Sequence, residues 1–239
     1  MPKLGTRKLY SLMARELQEE QIKVGRDKLF EILKKNALLQ KKKRRYVRTT
    51  NSQHWLKKYP NIIKGIIINR SEQVWVSDIT YIRTDEGYCY LSMITDAYSR
   101  KIMGSCLSKT LSAEGCLSAL EEALGQRISE SPLIHHSDRG LQYCSKEYVE
   151  KLRSNNIGIS MTENSDPYEN ALAERMNKTM KEEFLCLESF RTFEIAKKVV
   201  SESINIYNEE RPHLSWQMMK PAEVHSKIVN PIRATLSWG

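Results

Sequence analysis

Between residues 74 and 107 three β-rich runs follow one another with only turn formers between them, and any fold for this chain must be assembled around that block. The runs are Val74–Ile82, Tyr88–Thr95 and Lys101–Leu107, separated by Asp85-Glu86-Gly87 and by Asp96-Ala97-Tyr98-Ser99. Three consecutive strands in a meander fit best. The period then lengthens. A helix is predicted from Ser112, its cap, to Arg127, followed by a short strand Leu133–His136, a helix Ser145–Ser154 and a strand Ile157–Met161. The order is βββαβαβ. Turn formers around Asp166-Pro167 lead into a helix from about Asn170 to Leu187 and another from Phe193 to Tyr207.

Upstream of this block the composition changes. Residues 1 to 64 carry 18 Lys and Arg against 5 Asp and Glu, whereas residues 65 to 239 carry 20 against 24. A +13 segment joined to a −4 segment suggests a module that holds a polyanion and a larger one whose carboxylates have other work. Leu9, Leu12, Met13 and Leu17 recur at helical spacing, as do Leu29, Ile32 and Leu33 after a break at Val24-Gly25. Two helices with such a break make a helix-turn-helix, with Arg26, Lys28, Lys34 and Lys35 on the polar positions of the second. The run Lys41-Lys42-Lys43-Arg44-Arg45 adds phosphate contacts. The chain is expected to divide into a helix-turn-helix module with a basic tail (1–45), a linker (46–66), a catalytic core (67–190) and a C-terminal helix and tail packing on the core (191–239).

Other classes are set aside by what the chain does not contain. No apolar run approaches the roughly 20 residues of a membrane span, and the start has no secretion signal, so a cytoplasmic address is expected. Five cysteines with no C-x-x-C pair indicate neither a disulfide framework nor a zinc site.

Most carboxylates on such a chain are solvated surface charge, and Asp78 is the exception. It stands inside the apolar run Val74-Trp75-Val76-Ser77-Asp78-Ile79-Thr80-Tyr81-Ile82, on the face of Val74, Val76, Thr80 and Ile82. A carboxylate on a sheet surface needs a partner such as a metal ion. Asp138 ends the short run Leu133-Ile134-His135-His136-Ser137-Asp138, where binding residues cluster in α/β folds. Together they are a candidate metal site.

With these residues in view, the chain resembles the DDE transposases and retroviral-type integrases, specifically the second-frame (OrfB) subunit of a large bacterial insertion-sequence family. The likeness rests on Trp75-Val76-Ser77-Asp78-Ile79-Thr80-Tyr81, on His136-Ser137-Asp138-Arg139-Gly140 with Gln142-Tyr143, and on Asn170-Ala171-Leu172-Ala173-Glu174-Arg175. Further on, Tyr207-Asn208, Arg211-Pro212-His213 and Pro221-Ala222-Glu223 fit the same family. Between Asp138 and Glu174 lie 35 residues, the family's spacing. The resemblance implies an α/β, ribonuclease-H-like mixed five-stranded sheet with flanking helices, preceded by the small all-α helix-turn-helix module. It also implies a catalytic and metal-binding triad of Asp78, Asp138 and Glu174. Helical periodicity agrees with the last of these: Leu172, Met176, Met180 and Phe184 form one apolar ladder, and Glu174, Lys178 and Lys181 line the other side, offering a carboxylate to metal and two lysines to DNA.

The implied activity is DNA end cleavage and strand transfer by in-line displacement, with two Mg²⁺ (or Mn²⁺) ions about 4 Å apart, Asp78 bridging them, Asp138 binding one and Glu174 the other. The implied partners are double-stranded DNA (terminal inverted repeats and target), further copies of the chain on DNA, and the upstream-frame (OrfA) product as fusion or partner, in a bacterial nucleoid. His135 is expected to be a packed strand residue, His136 to orient Asp138, Asp96 and Asp166 to form turns, and Glu114, Glu121 and Glu122 to be solvated. Arg211-Pro212-His213 is expected to pack the tail onto the core. The N-terminus looks short for the family, which keeps open a truncated remnant or a catalytically silent DNA-binding regulator. A nuclease that cuts without joining is a third reading.

Overall fold

The computed structural model describes residues 4–39, 54–163, 170–186 and 189–229. Three antiparallel strands, β1 (Val74–Thr84), β2 (Gly87–Asp96) and β3 (Ile102–Ser108), make the meander expected from the short connections. Helix α3 (Ala113–Gly125), strand β4 (Leu133–Ser137), helix α4 (Lys146–Ser154) and strand β5 (Ile157–Met161) follow. The sheet order is β3-β2-β1-β4-β5, with β4 parallel to β1 and β5 parallel to β4. This is the mixed five-stranded, ribonuclease-H-like sheet, with β1 at its centre.

The two faces of β1 bury different sets, as period-two alternation requires. Trp75 packs with Ile94, Met103 and Leu120 of the strands and α3, and with Tyr148 and Leu152 of α4. Val74 and Val76 pack against Ala173, and Ile82 lies with Met176, Met180 and Phe184 on the opposite face. Those last residues belong to α5 (Ala171–Thr179) and the turn after it, and α6 (Phe193–Glu210) closes over them with Ala196, Val200 and Ile204. Gly104 marks the closest approach between layers. A Cβ there would lie inside the contact distance of the Ala119 carbonyl oxygen and 2.7 Å from the Ala123 nitrogen.

Several boundaries differ from expectation. The helix from Asn170 is not continuous to Leu187: α5 passes at Met180 into a π-helical turn, Met180–Phe184, with Leu185 N donating to Met180 O at 2.8 Å. Both Met180 and Phe184 stay buried while Glu183, between them, meets Arg211. Such a turn does not show in apolar spacing. The tail also forms a helix of its own, α7 (Pro221–Val229), opening on a proline whose missing N–H is no loss at a helix start. In the N-terminal module α1 (Thr6–Glu19) and α2 (Arg26–Lys35) form, but the left-handed residue of their turn is Gln21, at φ 56°, and Gly25 caps α2 in extended conformation. Ser112 occupies its cap position without a side-chain bond; Ser145 makes one, accepting from Tyr148 N. The basic run Lys41–Arg45 and Asp166 lie outside the described residues.

The C-terminal motif works as a clasp. Asn208 accepts from Ile102 N and donates to Ile102 O, mimicking a further strand, and the Tyr207 hydroxyl donates to Arg100 O. On α7, buried His225 stands between two buried carboxylates, 3.3 Å from Glu72 and 4.0 Å from Asp96, with Ser99 Oγ at 3.0 Å from its Nδ1. Asp96 also accepts from Tyr98 N and Ser99 N, so it is the turn former expected, and a fully buried one. Among the described residues no helix is long and apolar enough to cross a membrane.

Gly104→Ala should therefore destabilise the fold by about 3 kcal/mol or more, since backbone rather than a movable side chain blocks the methyl. An unfolding free energy from denaturant titration within about 1 kcal/mol of the parent would show that α3 does not sit this close to β3.

Candidate active site

The parallel register of β1 and β4 builds the site. Val76 pairs with His136, and two residues further along each chain stand Asp78 and Asp138. Neighbouring parallel strands run about 4.8 Å apart, so carboxylates at matching positions meet unless the strands diverge. Asp78 faces the α5 side, opposite Met93 of β2. Its two oxygens accept from Ile79 N (2.9 Å) and from Asn177 Nδ2 (2.8 Å). Asn170, at the start of α5, donates to Ser77 O at 3.0 Å and so moors the helix beside the strand. Glu174 lies one turn into that helix, exposed.

The electrostatics report the same convergence. Burial, then the Asp138 charge, then more weakly that of Glu174, push the Asp78 carboxyl up to about 7 against the two hydrogen bonds. Lys181 feels Asp78 as well: burial lowers its ammonium and Asp78 opposes the shift. Glu174, Asn177 and Lys181 thus share the face turned toward Asp78. Lys178 is exposed one turn beyond Glu174. The asparagines were not legible as site residues, although Asn177 falls at i+3 from Glu174 on the predicted face.

The loop after β4 is built around its own carboxylate. Gly140 N donates to Asp138 Oδ1 at 2.9 Å, and a Cβ on Gly140 would stand 2.9 Å from that oxygen and 3.3 Å from Gln142 Oε1. His135 is the packed strand residue expected, wholly buried, with Nε2 2.8 Å from Ser77 Oγ and 2.9 Å from the Tyr148 hydroxyl. Burial drives its imidazole down to about 3, so it stays neutral. His136 directs Nδ1 to Ser160 Oγ at 2.8 Å. On α3, Glu114, Glu121 and Glu122 are exposed, Glu121 pairing with Lys151 and Glu122 accepting from Ser105 N.

The donor set fits a hard cation. It is carboxylate oxygen, and the buried Asn177 Oδ1 beside Asp78 has no hydrogen-bond donor among the described residues, a place for a water on an ion. Among those residues no three His, Cys, Asp or Glu side chains are grouped to hold one ion together.

The mixed five-stranded sheet in the order β3-β2-β1-β4-β5 with its flanking helices is the fold of an integrase-type core. Comparison with known proteins agrees. Residues 68–167 match a family model described as integrase core domain, and residues 155–221 match a second of the same description. The chain is 36% identical over 225 residues to a Shigella sonnei protein called insertion element IS600 uncharacterized 31 kDa protein, covering 93% of this chain and 81% of that one. It is 34% identical over 186 residues to transposase InsF of insertion sequence IS3A from Escherichia coli K12, covering 77% of this chain and 64% of InsF. Among solved structures, the HTLV-2 integrase catalytic core domain in complex with magnesium superposes with TM-score 0.53 at 18% identity, over 65% of this chain and 97% of that one. The simian T-cell lymphotropic virus intasome chain gives TM-score 0.56 at 18% identity, over 92% and 74%. Those two likenesses are of fold. The chain belongs to the integrase core family and, within it, to the DDE transposases of insertion sequences, enzymes of the polynucleotidyl transferase type.

The raised Asp78 carboxyl has a measurable consequence. A carboxylate raised from 3.8 to about 7 in the fold removes stability as pH climbs through that window, at about 1.4 kcal/mol per pH unit. Asp78→Asn, less about 1 kcal/mol for a weakened hydrogen bond, should raise stability by about 3 kcal/mol or somewhat more at pH 8 in EDTA and by little at pH 4. Thermal unfolding at the two pH values checks this; an equal shift at both would show that the fold does not raise the Asp78 carboxyl.

Proposed function

We propose that the chain is the catalytic part of an insertion-sequence transposase that cuts DNA at the element's ends and joins the freed 3′-hydroxyl to a second duplex, with Asp78, Asp138 and Glu174 as its metal-binding triad. What supports this reading is the convergence on Asp78: burial first, then the charge of Asp138 and more weakly that of Glu174 raise its carboxyl, and cations beside it would relieve that. Two divalent ions, Mg²⁺ or Mn²⁺, shared pairwise by Asp78 with Asp138 and by Asp78 with Glu174, would stabilise charge on the entering and leaving oxygens of an in-line displacement. Asn177 keeps one Asp78 oxygen fixed, and Gly140 N does the same for Asp138. Lys178 on α5 and Lys181 in the π-helical turn after it face the DNA end, the second already within reach of the Asp78 charge.

The helix-turn-helix module holds the duplex at a distance from the chemistry. Arg26, Lys28, Lys34 and Lys35 are exposed on α2, and the run Lys41, Lys42, Lys43, Arg44 and Arg45, outside the described residues, adds five positive charges further along the chain. The layout is a DNA-binding module over 1–45, a linker over 46–66, the core over 67–190 and a packing tail over 191–239. Lys8 of α1 and Arg211 after α6 both pair with Glu183, at 3.1 and 2.7 Å, so one ion-pair cluster ties the module to the π-helical turn next to Lys181. Burial pushes the Glu183 carboxyl up, but its two cations outweigh that and hold it below the usual range. Self-association on DNA, a fusion to the upstream-frame product and association with the nucleoid belong to the same reading.

A strand-transfer assay with the element's end DNA and Mg²⁺ or Mn²⁺ tests it, run on this chain and on an upstream-frame fusion. Joined product is expected, falling at least a thousandfold in Asp78→Asn and Glu174→Gln. Nicking without joining would mark a nuclease, and binding without chemistry in either form a silent regulator or remnant. Asn177→Ala should shift the acid limb of the pH–rate profile upward, because the lost donor favours the ionised Asp78; an unmoved profile would remove Asn177 from the site.

A further inference from the structure

Trp55 is 91% exposed, the most exposed large apolar side chain among the described residues. Its neighbours hold it out. His54 Nε2 lies 2.8 Å from the carbonyl oxygen of Arg139, the residue after Asp138. Leu56 and Tyr59 pack into the core cluster of Trp75, Tyr143 and Tyr148. Beyond them Met161 N donates to Pro60 O, Ile62 N to Ser160 Oγ and Asn61 N to Glu163 Oε1, so the segment runs along β5 as a fixed strap. An anchor at His54 and another at Leu56 leave the indole between them facing solvent. Burying a tryptophan normally removes some 150 to 250 Å² from water, a gain that this sequence forgoes one residue from the Asp138 loop.

The segment that carries that indole is cationic. Lys57 and Lys58 follow it in the chain, and Arg153 donates to the Tyr59 hydroxyl while stacking on its ring. Lys58 and Arg139 both act on the Cys144 thiol, as does Asp138, which puts Lys58 around the same loop as the carboxylate. An exposed aromatic face set among lysines and arginines beside a phosphodiester-cutting centre has the chemistry that recognises single-stranded DNA: charge for the backbone and a π-face for a base.

We propose that Trp55 stacks on an unpaired base next to the scissile phosphate, holding the DNA end open beside Asp138, with Lys58 and Arg139 on the adjoining phosphates. This rests on the reading of the protein as a DNA-cutting enzyme, and binding can be measured apart from chemistry. The probe is a fluorescein-labelled duplex with a short single-stranded overhang, compared by anisotropy in EDTA with the same duplex whose overhang is abasic. The full chain should prefer the base-bearing overhang about tenfold. Trp55→Ala should abolish that preference with unfolding temperature and salt slope unchanged, and Trp55→Phe should keep most of it; Lys58→Ala should lower the salt slope and leave the preference intact. Equal binding of the two overhangs by the full chain, or an unchanged preference in Trp55→Ala, would overturn the proposal. A preference lost in Trp55→Ala, in a chain that proves unable to cut or join, would sustain the stacking site while refuting the transposase chemistry.

Discussion

The parallel pairing of β1 with β4 at the middle of the sheet is the constraint from which the site follows. It brings Asp78, inside β1, beside Asp138, just past the end of β4, and burial, with the Asp138 charge added, holds Asp78 at about 7 instead of in the ordinary carboxylate range. A fold that maximised its own stability would not keep such a pair. The surrounding hydrogen bonds only partly offset it: Ile79 N and Asn177 serve Asp78, Gly140 N serves Asp138, and the rest of the charge is left for a ligand to neutralise.

Around this centre the polar residues of the chain act mainly as fasteners. Asn170 moors α5 to β1, Asn208 extends the hydrogen bonding of β3 at its start, and Tyr207 closes on Arg100. The buried Glu72–His225–Asp96 set fixes α7 to the start of β1 and the end of β2. Breaking one partner of such a set leaves a buried charge alone, which is costly, so these groups specify the packing more than they strengthen it. The Lys8–Glu183–Arg211 cluster extends the same logic across modules. It joins the N-terminal helices to the turn that carries Lys181, so the docking of those helices and the position of that turn share one carboxylate.

Much of this could be read from residue order. The alternation in 74–107 and the change of period after it were enough for βββαβαβ, because strand and helix periods differ and the connections are short. Asp78 stood out because a charged residue within an apolar, β-branched run has no bland explanation. Glu174 did not: an exposed glutamate four residues before a lysine is ordinary on a helix, and only the likeness of the motifs around it singled it out. His135 and Asp96 were legible as packing and turn residues because their neighbours alternate or bend the chain in the expected way.

What the sequence by itself determined is therefore local: the elements, the faces of β1, the charge split between the segments and the carboxylate on the central strand. Tertiary structure alone decided the rest. The switch of α5 into a π-helical turn, the reach of Asn177 to Asp78, the role of Arg211 as the partner of Glu183 and the exposure of Trp55 all depend on residues far apart in the chain. Periodicity reports which side of an element a residue occupies, but not what stands opposite it. That second fact arises only when the layers pack, and the chemistry of this protein is located there.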